Sequence, residues 1–205
     1  MSKNQIRSIK GTQDILPKES LKWRVLEKKI HDTMELFNYG EIRTPAFEKT
    51  ELFDRGVGLQ TDIVTKEMYS WIDQGGESLT LKPELTAPVS RAYVQHSLGV
   101  QKPLTKLYYI DALFRRERPQ KGRQRQFHQF GIEAFGSNFA EQDAEIIALA
   151  WHLLAHFRLT NKIDLQVNSI GESECRAGYR EALKQFLKPH FDELSEISKR
   201  RFKTN

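Results

Sequence analysis

One cysteine, Cys175, stands in 205 residues. An internal disulfide and a Cys-based zinc site are therefore excluded, and a reducing cytoplasm is the simplest home. Nowhere do eighteen apolar residues run together, so no membrane helix is expected. The start Met1-Ser-Lys-Asn-Gln5 has no signal-peptide core. A Gly-rich loop ending in Lys-Ser/Thr is missing. Gly56-Val-Gly58 lacks a third glycine in register and does not join a strand to a helix, which argues against a dinucleotide fingerprint. His152 and His156 lie four apart without a glutamate after the first, so they read as helix-face histidines and not as a zinc-protease pair. There is no internal repeat and no low-complexity linker.

What the chain does have is a basic run. Between Arg115 and Arg125 stand Arg115, Arg116, Arg118, Lys121, Arg123 and Arg125 against one acid, Glu117, a local excess that matches the formal +5 of the whole protein. With 39% apolar and 29% charged residues the composition is that of a folded globular chain long enough for one substantial domain, or one domain plus an appendage. Its basic balance points toward nucleic acid or phosphate without proving either.

Apolar spacing predicts a helix over Pro17–Asn38 through Leu21, Val25, Leu26, Ile30, Met34 and Phe37. An extended segment, Glu41–Pro45, follows, then a short helix over Glu51–Arg55. Met68–Ile72 and Ser78–Leu81 read as strands around the turn Asp73-Gln-Gly-Gly76. A helix is expected from Pro83-Glu84 to Ser97, with Pro88 tolerable only in its first turn. Leu104–Phe114 and Arg123–Phe135 read as long strands joined by the basic loop. Ala140–Phe157 reads as a helix with Ala144, Ile147, Ala148, Trp151, Leu154 and Ala155 as its apolar face. A strand at Ile163–Val167 and a helix over Glu174–Leu187 complete the list, and the charged stretch from Lys199 carries no closing element. The expected class is α+β, an antiparallel β-sheet flanked by helices.

Strand alternation puts Arg115 and Glu117 on one face, and Arg123, Arg125, Phe127, Gln129, Gly131 and Glu133 on one face. A core would not bury so many charges, and plain solvent would not hold Phe127, so a ligand-lined face fits best. Phe127 offers a ring for stacking a base, and the forked donors of Arg115 and Arg123 suit phosphates. Gln129 and Glu133 suit an amine or a ring N–H. Glu84 and Thr86 could add a carboxylate and a hydroxyl, although from local sequence alone ordinary helix-start chemistry is the better explanation of them.

Together these residues resemble the catalytic domain of class II aminoacyl-tRNA synthetases, and among them the histidyl-tRNA synthetases. Phe114-Arg-Arg-Glu117, Arg123–Phe127 and Glu133 look like the second signature motif of the class. Arg118–Arg123 and Phe127–Glu133 look like its histidine-specific version. Tyr39–Glu48 resembles the first motif, and Gly11–Pro17, Thr61–Tyr69 and Leu81–Thr86 also fit in order. The resemblance implies ATP and Mg²⁺, L-histidine and a tRNA acceptor end as ligands. It places Arg115 at the α-phosphate and histidine carboxylate, as the catalytic residue. Glu117 and Phe127 would hold the adenine and Arg123 the outer phosphates. Glu84, Thr86 and Gln129 would bind the α-amino group, Leu85 would act through backbone, and Glu133 would meet an imidazole nitrogen. Gln120, with Arg116 and Arg118, would face the tRNA. A homodimer through Tyr39–Glu48 is implied.

The third motif, its arginine, two histidine-specific segments, the insertion and the anticodon-binding domain are not found. Residues 1–205 are therefore expected to be an N-terminal portion of the catalytic domain, inactive alone. Two other readings stay open: a histidine-sensing regulatory subunit of ATP phosphoribosyltransferase, and a stand-alone RNA-binding module using the basic loop.

Overall fold

A computed structural model describes residues 5–57, 67–118, 120–169 and 171–204. The chain divides into two units, residues 1–161 and 162–205.

In the first unit, α1 spans Pro17–Leu36, with proline in its first turn where a missing N–H costs nothing. It ends two residues short of the sequence expectation. Asn38 adopts a left-handed φ of 61°, its N–H bonds Glu35 O, and the Tyr39 N–H bonds Met34 O. That paired closure satisfies two terminal carbonyls and drops Tyr39 into the core. Next come β1 (Gly40–Glu41), β2 (Phe47–Lys49), α2 (Thr50–Val57), β3 (Tyr69–Ile72) and β4 (Ser78–Leu81). Then follow α3 (Thr86–Gln95), α4 (Leu98–Gln101), β5 (Thr105–Phe114), β6 (Gln126–Phe135) and α5 (Ala140–His156).

Two three-stranded sheets result, ordered β1-β5-β6 and β2-β4-β3. All pairings are antiparallel except β1 with β5, so the antiparallel expectation holds with one parallel edge. β5 and β6 form a ten-residue ladder running from Thr105↔Phe135 to Phe114↔Gln126. Its two faces follow from the period of two. Tyr108, Ile110 and Ile132 pack with Ile30 and Met34 of α1 and Leu149 and Leu153 of α5. Tyr109, Leu113, Leu107, Phe127 and Phe135 pack with Leu85 and Val89 at the start of α3. Each fully buried aliphatic side chain contributes roughly 1.5–3 kcal/mol. The second face is covered only at the α3 end, and the rest of it forms the site.

Two helix faces differ from the sequence reading. In α5 the buried residues are Leu149 and Leu153, while Ala144, Ala148 and Ala155 are exposed and Trp151 is 41% exposed. Residues 146–155 are apolar almost all round, so periodicity cannot choose a face. Polar contacts do: Glu145 pairs with Lys106 at 2.9 Å and accepts from Gln142 at 3.0 Å. In α1 only Ile30, Thr33 and Met34 are buried, whereas Leu21 and Val25 are each 60% exposed.

In the second unit the expected strand at Ile163–Val167 does not form. Thr160–Lys162 is a 3-10 turn, and Ile163, Leu165 and Val167 have no ladder partner and are 39%, 53% and 73% exposed. Alternation alone does not make a strand without a neighbour to bond. Helix α6 spans Ser173–Leu187, and α7 (Glu196–Thr204) occupies the stretch expected to lack an element.

One ion pair ties the two sheets together. Lys82, 2% exposed at the end of β4, reaches Asp111 of β5 and the Thr44 carbonyl at 3.2 Å. Its own carbonyl accepts the Phe114 N–H at 3.0 Å. Removing one partner of a fully buried pair costs about 3–5 kcal/mol, and less where one partner is partly wet, as Asp111 is. In a double-mutant cycle of Lys82→Met and Asp111→Asn followed by urea unfolding, we expect the double variant to lose clearly less than the sum of the singles. Additive losses would mean that the pair is not coupled.

Candidate functional site: two clusters on one face of the β5–β6 hairpin

Beyond the ladder the hairpin stays closed. Arg115 N–H donates to Arg125 O at 2.9 Å, and Gln120 and Arg123 bridge across Lys121-Gly122, where Gly122 takes φ +82°. A positive φ at the third turn position is what glycine supplies without strain. Residues 120–123 thus form a tight turn. Gln120 and Arg118 are exposed at this tip, and Arg116 is exposed while its N–H bonds Glu67 O at 2.6 Å.

At the loop end of the ladder, four of the expected residues converge. The Arg115 Nε donates to the Pro83 carbonyl at 2.9 Å, and its guanidinium lies 5.0 Å from the Phe127 ring centre. Glu117, 12% exposed, receives Arg123 at 3.3 Å and lies 3.9 Å from Arg115. These groups, with Glu67, Gly122, Gln124 and His128, line a cleft of about 600 Å³. An arginine fixed by a carbonyl and a ring has lost most of its rotamer freedom before any ligand arrives, so little entropy remains to be lost on binding. The arrangement suits a planar ring stacked on Phe127 with an anion beside it.

A second cluster lies further along the same face. The Glu84 carboxylate accepts the Thr86 N–H at 2.8 Å and the Ala87 N–H at 3.0 Å, capping α3. The helix-start explanation of Glu84 is therefore correct as far as it goes. Yet Thr86 Oγ1 donates to Glu133 Oε1 at 2.8 Å, which brings a second carboxylate to the same spot. By donating there, the Thr86 oxygen keeps its lone pairs for an ammonium group. Burial, opposed by the two backbone N–H bonds and reinforced by the neighbouring Glu133 charge, holds the Glu84 carboxyl above its ordinary value of 4.5. Gln129, paired with Asp111, lies on this face between the two clusters. Leu85 is 1% exposed with its side chain in the core, so only its backbone is left to a ligand.

The structure thus brings Arg115, Glu117, Arg123 and Phe127 together, and Glu84, Thr86 and Glu133 together. Arg116, Arg118 and Gln120 stand apart at the tip. Of the segment 61–69, residues 61–66 lie outside the described residues, as does Gly58. Sequence reasoning missed Tyr109, Lys82, Asp111, Glu67 and the Pro83 carbonyl. A signal existed for Tyr109: Gly131 in mid-strand marks a close approach, and its β5 partner is Tyr109.

Among the described residues no three His, Cys, Asp or Glu side chains converge as metal ligands, and no helix is long and apolar enough to cross a membrane.

The family model for histidyl-tRNA synthetase matches residues 11–193. The chain belongs to the histidyl-tRNA synthetase family. Among curated relatives, the histidine–tRNA ligase of Chloroherpeton thalassium is 54% identical over 202 residues, covering 98% of this chain and 47% of the relative. That of Halothermothrix orenii is 51% identical over 200 residues, covering 98% and 48%. The chain spans about half the length of the curated relatives it matches. Apo S. aureus histidyl-tRNA synthetase superposes with a TM-score of 0.73 at 38% identity, over 98% of this chain and 47% of that one. A Bacillus halodurans protein described as an ATP phosphoribosyltransferase regulatory subunit/histidyl-tRNA synthetase gives 0.68 at 23% identity, over 98% and 55%, a likeness of fold alone. The family is a class II one, which agrees with the α+β architecture.

A carboxyl raised on folding stabilises the fold fully below its unfolded value, and that contribution is lost as pH rises through the folded value. In carboxyl ¹³C NMR titrations we expect Glu84 to titrate above 4.5, and to move down in Glu133→Gln, which removes a like charge. An unmoved Glu84 in that variant would mean the two carboxylates do not share a site.

Proposed function

We propose that the chain carries the ATP and amino-acid half-site of a histidine–tRNA ligase, which joins L-histidine to its tRNA through a histidyl-adenylate. The observation that carries this reading is a phosphate-type arginine cluster and a paired-carboxylate cluster on one sheet face, in a chain of this family. A nucleotide and an amino acid bound there would meet between Arg115 and Gln129.

In the first step a histidine carboxylate oxygen attacks the α-phosphorus of ATP and pyrophosphate leaves. Negative charge gathers on the oxygens around that phosphorus, and a pre-oriented guanidinium stabilises it without having to reorganise. Arg115, held by Pro83 O and Phe127, is that group. Phe127 would stack on the adenine, Glu117 would accept from its amino group, and Arg123 would meet the outer phosphates. Glu84, Thr86 and Gln129 would hold the α-ammonium, Leu85 would contribute backbone, and Glu133 would accept from an imidazole N–H. Mg²⁺ would arrive on the phosphate oxygens and neutralise their charge, and Glu67 is a carboxylate lining that end, a hard oxygen donor of the kind it prefers.

The tRNA acceptor end would meet Gln120, Arg118 and Arg116 at the tip. A homodimer would form through Tyr39–Glu48. In that segment Tyr39 is core and Glu48 pairs with Arg91, which leaves Gly40, Glu41, Arg43 and Phe47 exposed to a partner. A cytoplasmic location goes with this function. The 205 residues, taken as part of the catalytic domain, would have little activity without the remainder of a family-length chain.

In the full-length protein, Arg115→Gln should lower ATP–pyrophosphate exchange by about 10²–10³-fold, as loss of one transition-state donor does; an effect on KM alone would reduce Arg115 to a binding group. Gln120→Ala should reduce tRNA charging while leaving adenylate formation nearly intact. Equal loss of both steps would assign Gln120 to the ATP end. If the full-length protein stimulated a phosphoribosyltransferase and charged no tRNA, the regulatory-subunit reading would replace this one.

A further inference from the structure

Glu133 has two carboxylate oxygens, and the protein engages one of them twice. Thr86 Oγ1 donates to Oε1 at 2.8 Å, and the Tyr109 hydroxyl donates to the same Oε1 at 3.4 Å. The second bond is long, as such bonds often are before a ligand closes the site. Among the described residues both bonds end on Oε1, so Oε2 is the oxygen left for a ligand.

Tyr109 reaches that position because Gly131 lets it. The two residues are directly opposite in the ladder, and Glu133 lies two positions further along β6 on the same face. A Cβ at Gly131 would lie 2.4 Å from the Tyr109 hydroxyl and 2.5 and 2.7 Å from two ring carbons. The phenol therefore lies flat across the glycine and points along the strand toward the carboxylate. Leu85, Val89 and Leu113 pack around its ring, and the residue is 4% exposed. This lane fixes the ring by packing and aims its hydroxyl by register.

We propose that Tyr109 is a positioning residue that sets side-chain specificity: it holds Oε1 of Glu133 and so presents Oε2 as the single acceptor for a ring N–H of the amino acid. It acts through Glu133 and need not touch the ligand. Burial first, and the adjacent Glu133 charge second, push its phenol up to about 12, so it remains a donor at any neutral pH. Without Tyr109 the carboxylate keeps, among the described residues, only Thr86, a flexible hydroxyl that the α-ammonium also recruits. A loosely held carboxylate still attracts positive charge but no longer demands a directed N–H, and discrimination falls more than affinity.

This inference rests on Glu133 being the imidazole contact. The test compares L-histidine with β-(2-thienyl)-L-alanine, which has a five-membered ring of similar size and no ring N–H. Dissociation constants for both are measured by equilibrium titration of the full-length protein, of Tyr109→Phe and of Gly131→Ala, whose methyl displaces the phenol. Unaltered protein should strongly prefer histidine. Each variant should reduce that preference about tenfold, mainly by weakening histidine, with ATP affinity unmoved. Undiminished preference in both variants would overturn the role of Tyr109 and leave Glu133 standing. Equal weakening of both amino acids would make Tyr109 merely structural. No preference in the unaltered protein would overturn the assignment of Glu133 itself.

Discussion

The site depends on the contact between Lys82 and Asp111. A lysine 2% exposed is costly to bury, and it stays because Asp111 and the Thr44 carbonyl replace its water. Lys82 directly follows β4 of one sheet and Asp111 belongs to the other, so the pair fixes where the next four residues can lie. Pro83 then offers its carbonyl to Arg115, Glu84 caps α3, Leu85 enters the core, and Thr86 meets Glu133. A rotation at this junction would disturb the arginine end and the carboxylate end together. The pair is best understood as specifying an arrangement, since buried ion pairs add little net stability over apolar residues of the same shape.

The hairpin divides its labour by parity. One face of β5–β6 gives Tyr108, Ile110 and Ile132 to the main core against α1 and α5, and the other supplies a small core under α3 before giving way to the cleft. The same strands that carry the site are therefore rigid on their far side. Side chains placed on such a platform are held within narrow limits, which suits chemistry in which the protein positions and stabilises charge.

The motifs were legible in the sequence because they combine residue types that ordinary surfaces and cores do not mix. Arginines, a glutamate and a phenylalanine on one strand face make such a case, and the structure places Arg115, Glu117, Arg123 and Phe127 around one cleft. The strand pair was legible for the same reason, its alternation being strong. The buried face of α5 was not, because residues 146–155 are apolar nearly all round and a polar contact through Glu145 decides the rotation. Ile163–Val167 shows the opposite failure, a strand pattern without a partner strand. Tyr109 and Lys82 were hidden because their roles arise from register and from a contact between sheets, which local sequence does not encode.

On the proposed function, a nucleotide and an amino acid lie side by side on this one face. A crystal structure of the full-length protein with a non-hydrolysable histidyl-adenylate analogue tests it most directly. The adenine is expected on Phe127, the phosphate mimic at Arg115, the α-amino group between Glu84 and Thr86, and the imidazole N–H on Glu133. An analogue bound with its adenine at the carboxylate end, or bound away from the β5–β6 face altogether, would contradict it.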